Sequence, residues 1–140
     1  MLLKEKKNKM EYKTLIGKQK EYINNNFEIE SNILSSIVNQ LSDTFDYNKF
    51  NIISKCDEYT TLEYGNFDLL RIKFTDKSKW IKLFLTKEDR EKYKESELFK
   101  SQKNKNEFYW KSDIESEEDL NKYIPLLKNI CIHQNKMQNI

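Results

Sequence analysis

Residues 67–86, FDLLRIKFTDKSKWIKLFLT, form the stretch that most constrains the fold. Apolar residues are densest here, and a short polar turn at residues 76–78 divides the stretch into two strands. Apolar residues occupy both faces of the second strand, with Ile81, Leu83 and Leu85 on one face and Trp80, Lys82 and Phe84 on the other. Such a strand is central in a sheet that is covered on both sides, or is covered by a binding partner. We therefore expect a sheet built around this hairpin.

The neighbouring segments extend the hairpin into an antiparallel meander of about five strands. Further strands are predicted at residues 50–54, 59–64 and 107–113, where the side chains suit alternating faces. In the last of these, the period of two places Phe108 on the same face as Trp110.

Two local features predict how the central hairpin is joined and shaped. Gly65-Asn66 is typical of a tight hairpin turn, because glycine readily adopts a positive φ. Leu69 and Leu70 are consecutive apolar residues, so we expect a β-bulge that turns both toward the core.

Two helices are predicted before the sheet. The first covers residues 10–23 and follows a disordered basic arm at residues 1–8. The second covers residues 28–45, where an apolar stripe at steps of three and four begins with Ile29. We expect this stripe to pack on the sheet.

A third helix is predicted at the C-terminal end. Ser116 suits an N-cap, and the acidic residues 117–119 suit the positive end of the helix dipole. Pro125 lies inside the apolar pattern, so we expect a kink or the start of a second helix there. Residues 134–140 are polar and are predicted to fray. The sequence thus predicts one α+β domain over residues 1–140.

The overall charge argues against a strongly cationic nucleic-acid binder. The chain has 25 basic and 23 acidic residues, a formal net charge of +2. Two cysteines do not form a secreted disulfide framework. We find no long apolar run, so we expect no membrane segment and a cytoplasmic location.

The sequence carries no catalytic, metal or nucleotide motif. Cys56, Cys131 and His133 are the only soft metal ligands, whereas a structural zinc site normally uses four. Two glycines in the whole chain leave no phosphate-binding loop. We expect a non-enzymatic protein without metal or cofactor, with Cys131 in the core and His133 in solvent.

Basic and aromatic residues form the best candidate binding surface. The predicted partner-binding set comprises Arg71, Lys73, Trp80, Lys82, Phe84, Lys100, Lys103, Lys105, Tyr109 and Lys111. Exposed aromatic residues beside cations are typical of protein interfaces, and a protein partner is the primary expectation, with self-association included. The alternative is nucleic acid, with lysines neutralising phosphates and rings stacking on bases.

Residues 72–131 resemble small uncharacterised α+β domains of bacterial and phage proteins. The resemblance covers IKF, KWIKLFL and EFYWKSDIESEEDLNKYIPLLKNIC, in which two tryptophan-bearing strands precede an acid-capped helix. The resemblance implies no activity and no site residue for this chain. It implies a class to consider, namely small regulators that inhibit a host defence protein.

Overall fold

A computed structural model describes residues 24–138 and the backbone of residues 12–14. Its helices are α1 (Phe27–Leu41), α2 (Lys87–Lys92) and α3 (Ile124–Gln138). Its strands are β1 (Tyr12–Thr14), β2 (Phe50–Ser54), β3 (Thr60–Tyr64), β4 (Phe67–Phe74), β5 (Lys79–Phe84) and β6 (Tyr109–Asp113). Short 3₁₀ helices cover Tyr47–Lys49, Glu97–Phe99 and Glu117–Tyr123. The predicted α+β class is confirmed.

The described strands form one sheet in the order β1-β2-β3-β4-β5-β6. Each strand from β2 to β6 is antiparallel to its sequence neighbour, which confirms the predicted meander. β1 adds a parallel strand beside β2, with Tyr12 opposite Ile52. It pairs with the edge that β2 would otherwise leave open to another chain.

The predicted arrangement of helices is partly wrong. Residues 12–14, placed in the first helix by the sequence, form β1 instead, because pairing with β2 overrides a weak helical pattern. The remainder of that prediction and the basic arm at residues 1–8 lie outside the described residues. Of the helices in the described part, α1 precedes β2, α2 lies between β5 and β6, and α3 follows the sheet.

The hairpin turn and the bulge are confirmed. Gly65 and Asn66 both have positive φ, 58° and 67°, as a tight turn between β3 and β4 requires. Leu62 is opposite Leu70 and the next residue is opposite Asp68, so Leu69 is the extra residue of the bulge. Leu69 and Leu70 are both buried, as the sequence predicts.

The core lies between one face of the sheet and helices α1 and α3. Alternate sheet residues are fully buried in it, including Ile52, Leu62, Ile72, Ile81 and Leu83. α1 contributes most of its predicted apolar stripe, from Ile33 to Leu41. Ile29 is the exception, since 52% of it is exposed. The stripe therefore begins one turn later than the pattern predicts.

The C-terminal helix starts in two stages. The Asp119 carboxylate accepts hydrogen bonds from the backbone N–H groups of Glu115 (2.8 Å) and Ser116 (3.2 Å). These bonds lower the pKa of Asp119 below its ordinary value. A 3₁₀ segment follows, and α3 then begins at Ile124 with Pro125 in its first turn, which confirms the predicted second start.

Residues 134–138 of the tail that the sequence predicts to fray are described as helix. α3 continues to Gln138, because its last turns are tied to the sheet. Asn135 accepts hydrogen bonds from Tyr64 Oη (2.8 Å) and Lys49 Nζ (3.2 Å), and Gln138 donates to the carbonyl of Gly65 (3.2 Å). No helix among residues 24–138 is long and apolar enough to cross a membrane.

Ser31→Ala is expected to raise the free energy of unfolding by about 1 kcal/mol. Ser31 is fully buried in α1, and its Oγ has no hydrogen-bond partner among the described residues. Alanine removes this desolvated hydroxyl and is a better helix former. Urea denaturation followed by circular dichroism measures the effect. Ser36→Ala, at an exposed position of α1, is the control for propensity alone. A loss of stability in Ser31→Ala would contradict the prediction.

Candidate functional site

The face of the sheet opposite the core carries most of the residues that the sequence singles out. We call it the outer sheet face and define it as Tyr59, Arg71, Lys73, Trp80, Lys82, Phe84, Tyr109 and Lys111. Their side chains are half-buried, whereas the alternate residues of the same strands are buried in the core. Of the predicted set, Arg71, Lys73, Trp80, Lys82, Phe84, Tyr109 and Lys111 are therefore brought together by the sheet.

A row of three cations crosses the middle of the outer sheet face. Arg71 of β4 is opposite Lys82 of β5, and Lys82 is opposite Lys111 of β6. Neighbouring strands lie about 4.8 Å apart, and like charges directly opposite each other are destabilising. None of these three side chains is part of the buried core, so a role in binding is favoured over a role in stability.

Arg71 is held by an acid and two rings. Its Nη2 donates to Asp68 Oδ2 at 3.2 Å. Its guanidinium carbon lies 4.3 Å from the ring centre of Tyr109 and 5.3 Å from that of Tyr59. Burial opposes the charged form, but the hydrogen bond with Asp68, together with electrostatic attraction from Asp68 and the two tyrosines, outweighs burial and raises the pKa of Arg71. Asp68 also pairs with Lys55 at 2.7 Å, and Lys55 pairs with Glu63 at 3.0 Å, so two acids balance the two cations at this end of the row.

Trp80 is surrounded by lysines. Lys73 of β4 is its cross-strand partner, and the Nζ atoms of Lys82 and Lys111 lie 5.3 Å and 5.7 Å from the centre of its ring. The ring of Tyr59 packs against it with a centroid distance of 6.0 Å. The sequence left open whether Trp80 is buried or exposed, and the structure places it between these states. An ammonium group above a ring face is a favourable contact that orients both groups.

Four rings form an aromatic cluster at one end of the face: Phe67, Phe84, Phe108 and Tyr109. Phe84 is at its centre, 4.6 Å from Phe67, 5.7 Å from Phe108 and 5.1 Å from Tyr109 between ring centroids. Phe108 is 57% exposed, and the guanidinium of Arg90 lies 4.7 Å from its ring centre. The cluster thus offers apolar surface to solvent beside a cation.

Sequence reasoning missed Phe67, Phe108 and Arg90. Phe108 was predicted to lie on the same face as Trp110, but it precedes β6 and stacks on Phe84 instead. The period of two ceases to apply where the strand ends, so no signal in the alternation separates the two cases. Arg90 reaches the cluster because its Nη1 donates to the carbonyl of Leu85 at 2.8 Å.

Two lysines of the loop at residues 100–106 have contacts away from the outer sheet face. Lys105 Nζ donates to the carbonyl of Phe99 at 2.8 Å and lies 4.6 Å from the ring centre of Trp110, a residue of the core. Lys100 lines a cleft of about 500 Å³ on the other side of β6. Lys103 is exposed. The basic surface is therefore narrower than the predicted set.

The same loop protects the outer edge of β6. The side-chain carbonyl of Gln102 accepts a hydrogen bond from the backbone N–H of Lys111 at 2.9 Å. Ser101 Oγ donates to the carbonyl of Lys111 at 3.5 Å, a marginal distance. Loops that cover edge strands reduce pairing with other chains. We therefore locate the candidate site on the face of the sheet and not at this edge.

The thiol and imidazole groups occupy separate environments. Cys131 is fully buried in the core, as predicted, and burial raises the pKa of its thiol to about 12. A neutral thiol is a poor nucleophile and a poor metal ligand. His133 is exposed, as predicted, in a cleft with Thr86 and Asp89. No group of three or more His, Cys, Asp or Glu residues within the described part is placed to hold a metal ion.

Comparison with family models, curated proteins and solved structures gave no match to this chain. The candidate site therefore rests on its own geometry: a row of cations and a tryptophan among lysines on one face of the sheet, with an aromatic cluster at its end.

Proposed function

We propose that this protein is a non-enzymatic module that binds a protein partner through the outer sheet face. The observation that carries the proposal is the aromatic cluster around Phe84, in which Phe108 is 57% exposed. Together with Trp80 it provides apolar area next to Arg71 and Arg90. Interfaces are enriched in aromatic residues and arginine, and a few such residues dominate binding energies.

A regulatory or inhibitory role is the concrete form of this proposal. Such a protein acts by occupying a surface of its partner and needs no chemistry of its own. The resemblance of residues 72–131 to bacterial and phage domains makes a host defence protein one candidate partner. A second copy of this chain is another, and sedimentation of the purified protein tests for it.

Nucleic-acid binding is the second candidate, favoured by the row Arg71, Lys82 and Lys111. Two observations weaken it. Asp68 already pairs with Arg71 at 3.2 Å, and Lys105 contacts the core side of the sheet. A track of phosphates needs several free cations in series.

Replacing Trp80 and Phe108 together by alanine is expected to weaken partner binding by at least about tenfold, since each hot-spot ring is worth about 1–2 kcal/mol. Tagged protein is used to capture partners from a lysate of the source organism, and the affinity for the captured protein is then measured by calorimetry. Met137→Ala is the matched control, because Met137 is 56% exposed on α3, away from this face. Unchanged affinity in the double variant would contradict the proposal.

Electrophoretic mobility shifts test the second candidate. Binding of single-stranded DNA or RNA at low salt, lost in Arg71→Ala with Lys73→Ala and weakened steeply by added salt, would replace the protein-binding proposal. No shift at low salt would eliminate the nucleic-acid candidate.

A further inference from the structure

We propose that the outer sheet face binds an acidic protein segment whose apolar side chain packs on Trp80 and whose carboxylates pair with the lysines around it. Those lysines are Lys73, Lys82 and Lys111. This inference rests on the proposed function and adds the chemistry of the partner.

Lysines of three neighbouring strands lie close to Trp80. Lys73 lies opposite Trp80 on β4, and the Nζ atoms of Lys82 and Lys111 are 5.3 Å and 5.7 Å from the ring centre. Two ammonium groups therefore border one half-buried ring, and a third lysine lies opposite this ring on the neighbouring strand. Successive side chains on one face of an extended segment are about 6.8 Å apart, so one segment reaches the ring and more than one ammonium.

The acids next to the outer sheet face are already paired with other cations. Glu63 and Asp68 pair with Lys55 at 3.0 Å and 2.7 Å, and Asp68 also pairs with Arg71. Within residues 24–138, the one carboxylate paired with Lys111 Nζ is that of Asp113, at 3.9 Å; Asp113 lies opposite Trp80, and its side chain is 66% exposed.

Lys73 and Lys82 are the available charges. Neither has a carboxylate partner among residues 24–138, and Lys82 lies directly opposite Lys111, an arrangement of like charges that costs stability. Carboxylates supplied by a partner would remove this repulsion as they bind. An acidic segment is thus the complement that the face lacks.

The neighbouring aromatic cluster favours protein over nucleic acid as the source of the negative charge. Phe84 and Phe108 are stacked on each other at 5.7 Å, so their inner faces are already occupied and are closed to a base. The guanidinium of Arg90 lies over the ring of Phe108 at 4.7 Å, so the exposed edge of Phe108 is what remains for apolar side chains. A peptide with alternating acidic and apolar residues matches both halves of the surface.

The test uses fluorescein-labelled synthetic peptides and the whole chain. One peptide has a central phenylalanine flanked by glutamates, a second has glutamines in place of the glutamates, and oligothymidylate is the third probe. We expect the acidic peptide to bind about tenfold more tightly than the glutamine peptide and to weaken with added salt. Equal binding of the two peptides, or no binding of the acidic one at millimolar concentration, would overturn the inference.

Replacing lysines by glutamates tests whether the acidic peptide binds at the outer sheet face. Lys82→Glu with Lys111→Glu is expected to weaken the acidic peptide by about tenfold or more. Lys87→Glu with Lys94→Glu is the control, since it changes the net charge equally at two exposed positions outside the face. Equal affinities of the two variants would overturn the inference, as would tight binding of oligothymidylate that only the first variant loses.

The partner captured by the whole protein separates the two proposals. If Lys82→Glu with Lys111→Glu keeps that partner while Trp80→Ala with Phe108→Ala loses it, protein binding stands and the acidic chemistry is wrong. If both variants keep it, the outer sheet face is not the interface and both proposals fail.

Discussion

Glu30→Ala is expected to lower the free energy of unfolding by about 2–4 kcal/mol. Glu30 lies in the first turn of α1 and is fully buried. Its carboxylate accepts hydrogen bonds from Asn24 Nδ2 (3.0 Å), Thr60 Oγ1 (2.7 Å) and the backbone N–H of Phe74 (2.8 Å). One side chain thus joins α1 to β3 and β4, and alanine leaves its buried donors without an acceptor.

Position at the helix terminus explains why a buried acid is tolerated here. The aligned peptide dipoles of α1 make this end of the helix positive, which stabilises a carboxylate. Glu30→Gln is expected to lose less stability, because its carbonyl still accepts the bonds made to one of the two oxygens, while its NH₂ group opposes the donor at the other position. Glu28→Ala is the control, an exposed acid in the same turn. Urea unfolding that gave Glu30→Ala no larger effect than Glu28→Ala would contradict this account.

Trp110→Ala is expected to cost about 3–5 kcal/mol of unfolding free energy. Trp110 is fully buried on the core face of β6, where its ring meets Phe99 edge to face at 5.5 Å. Its Nε1 donates to the carbonyl of Glu107 at 2.8 Å, which fixes the ring as the chain enters β6. Truncation leaves a large cavity and an unpaired carbonyl.

Trp80→Ala is the matched comparison for Trp110→Ala, because it removes the same ring from the other face of the sheet. Trp80 is half-buried on the opposite face, so we expect a loss below about 2 kcal/mol. Thermal unfolding of both variants measures the difference. Equal losses would mean that Trp80 belongs to the structural core, and the outer sheet face would then lose its main candidate for a binding residue.

Local patterns predicted the central meander correctly. Strand β2, the Gly65-Asn66 turn and the bulge at Leu69 depend on neighbouring residues only, through the period of two and through glycine's access to positive φ. The alternation in β5 also identified Trp80, Lys82 and Phe84 as one face. The shared face of these residues is predicted without reference to the remainder of the chain.

The predictions that differ from the structure concern segments whose conformation depends on contacts with distant parts of the chain. Residues 12–14 are a strand because β2 is available to pair with them. Helix α3 runs past His133 because Asn135 and Gln138 bond to the other end of the sheet. Ile29 is exposed, whereas its neighbour Glu30 is turned toward β3 and β4, an orientation that the packing of α1 on the sheet sets.

Local sequence patterns are sufficient to predict the α+β class, the hairpin at residues 67–86 and the face on which its lysines and aromatic residues lie. These follow from side-chain periodicity, which a strand expresses wherever it is placed. Long-range contacts place Lys111 opposite Lys82, stack Phe108 on Phe84 and bury Glu30. Each depends on the register and packing of segments far apart in sequence, which no local pattern encodes.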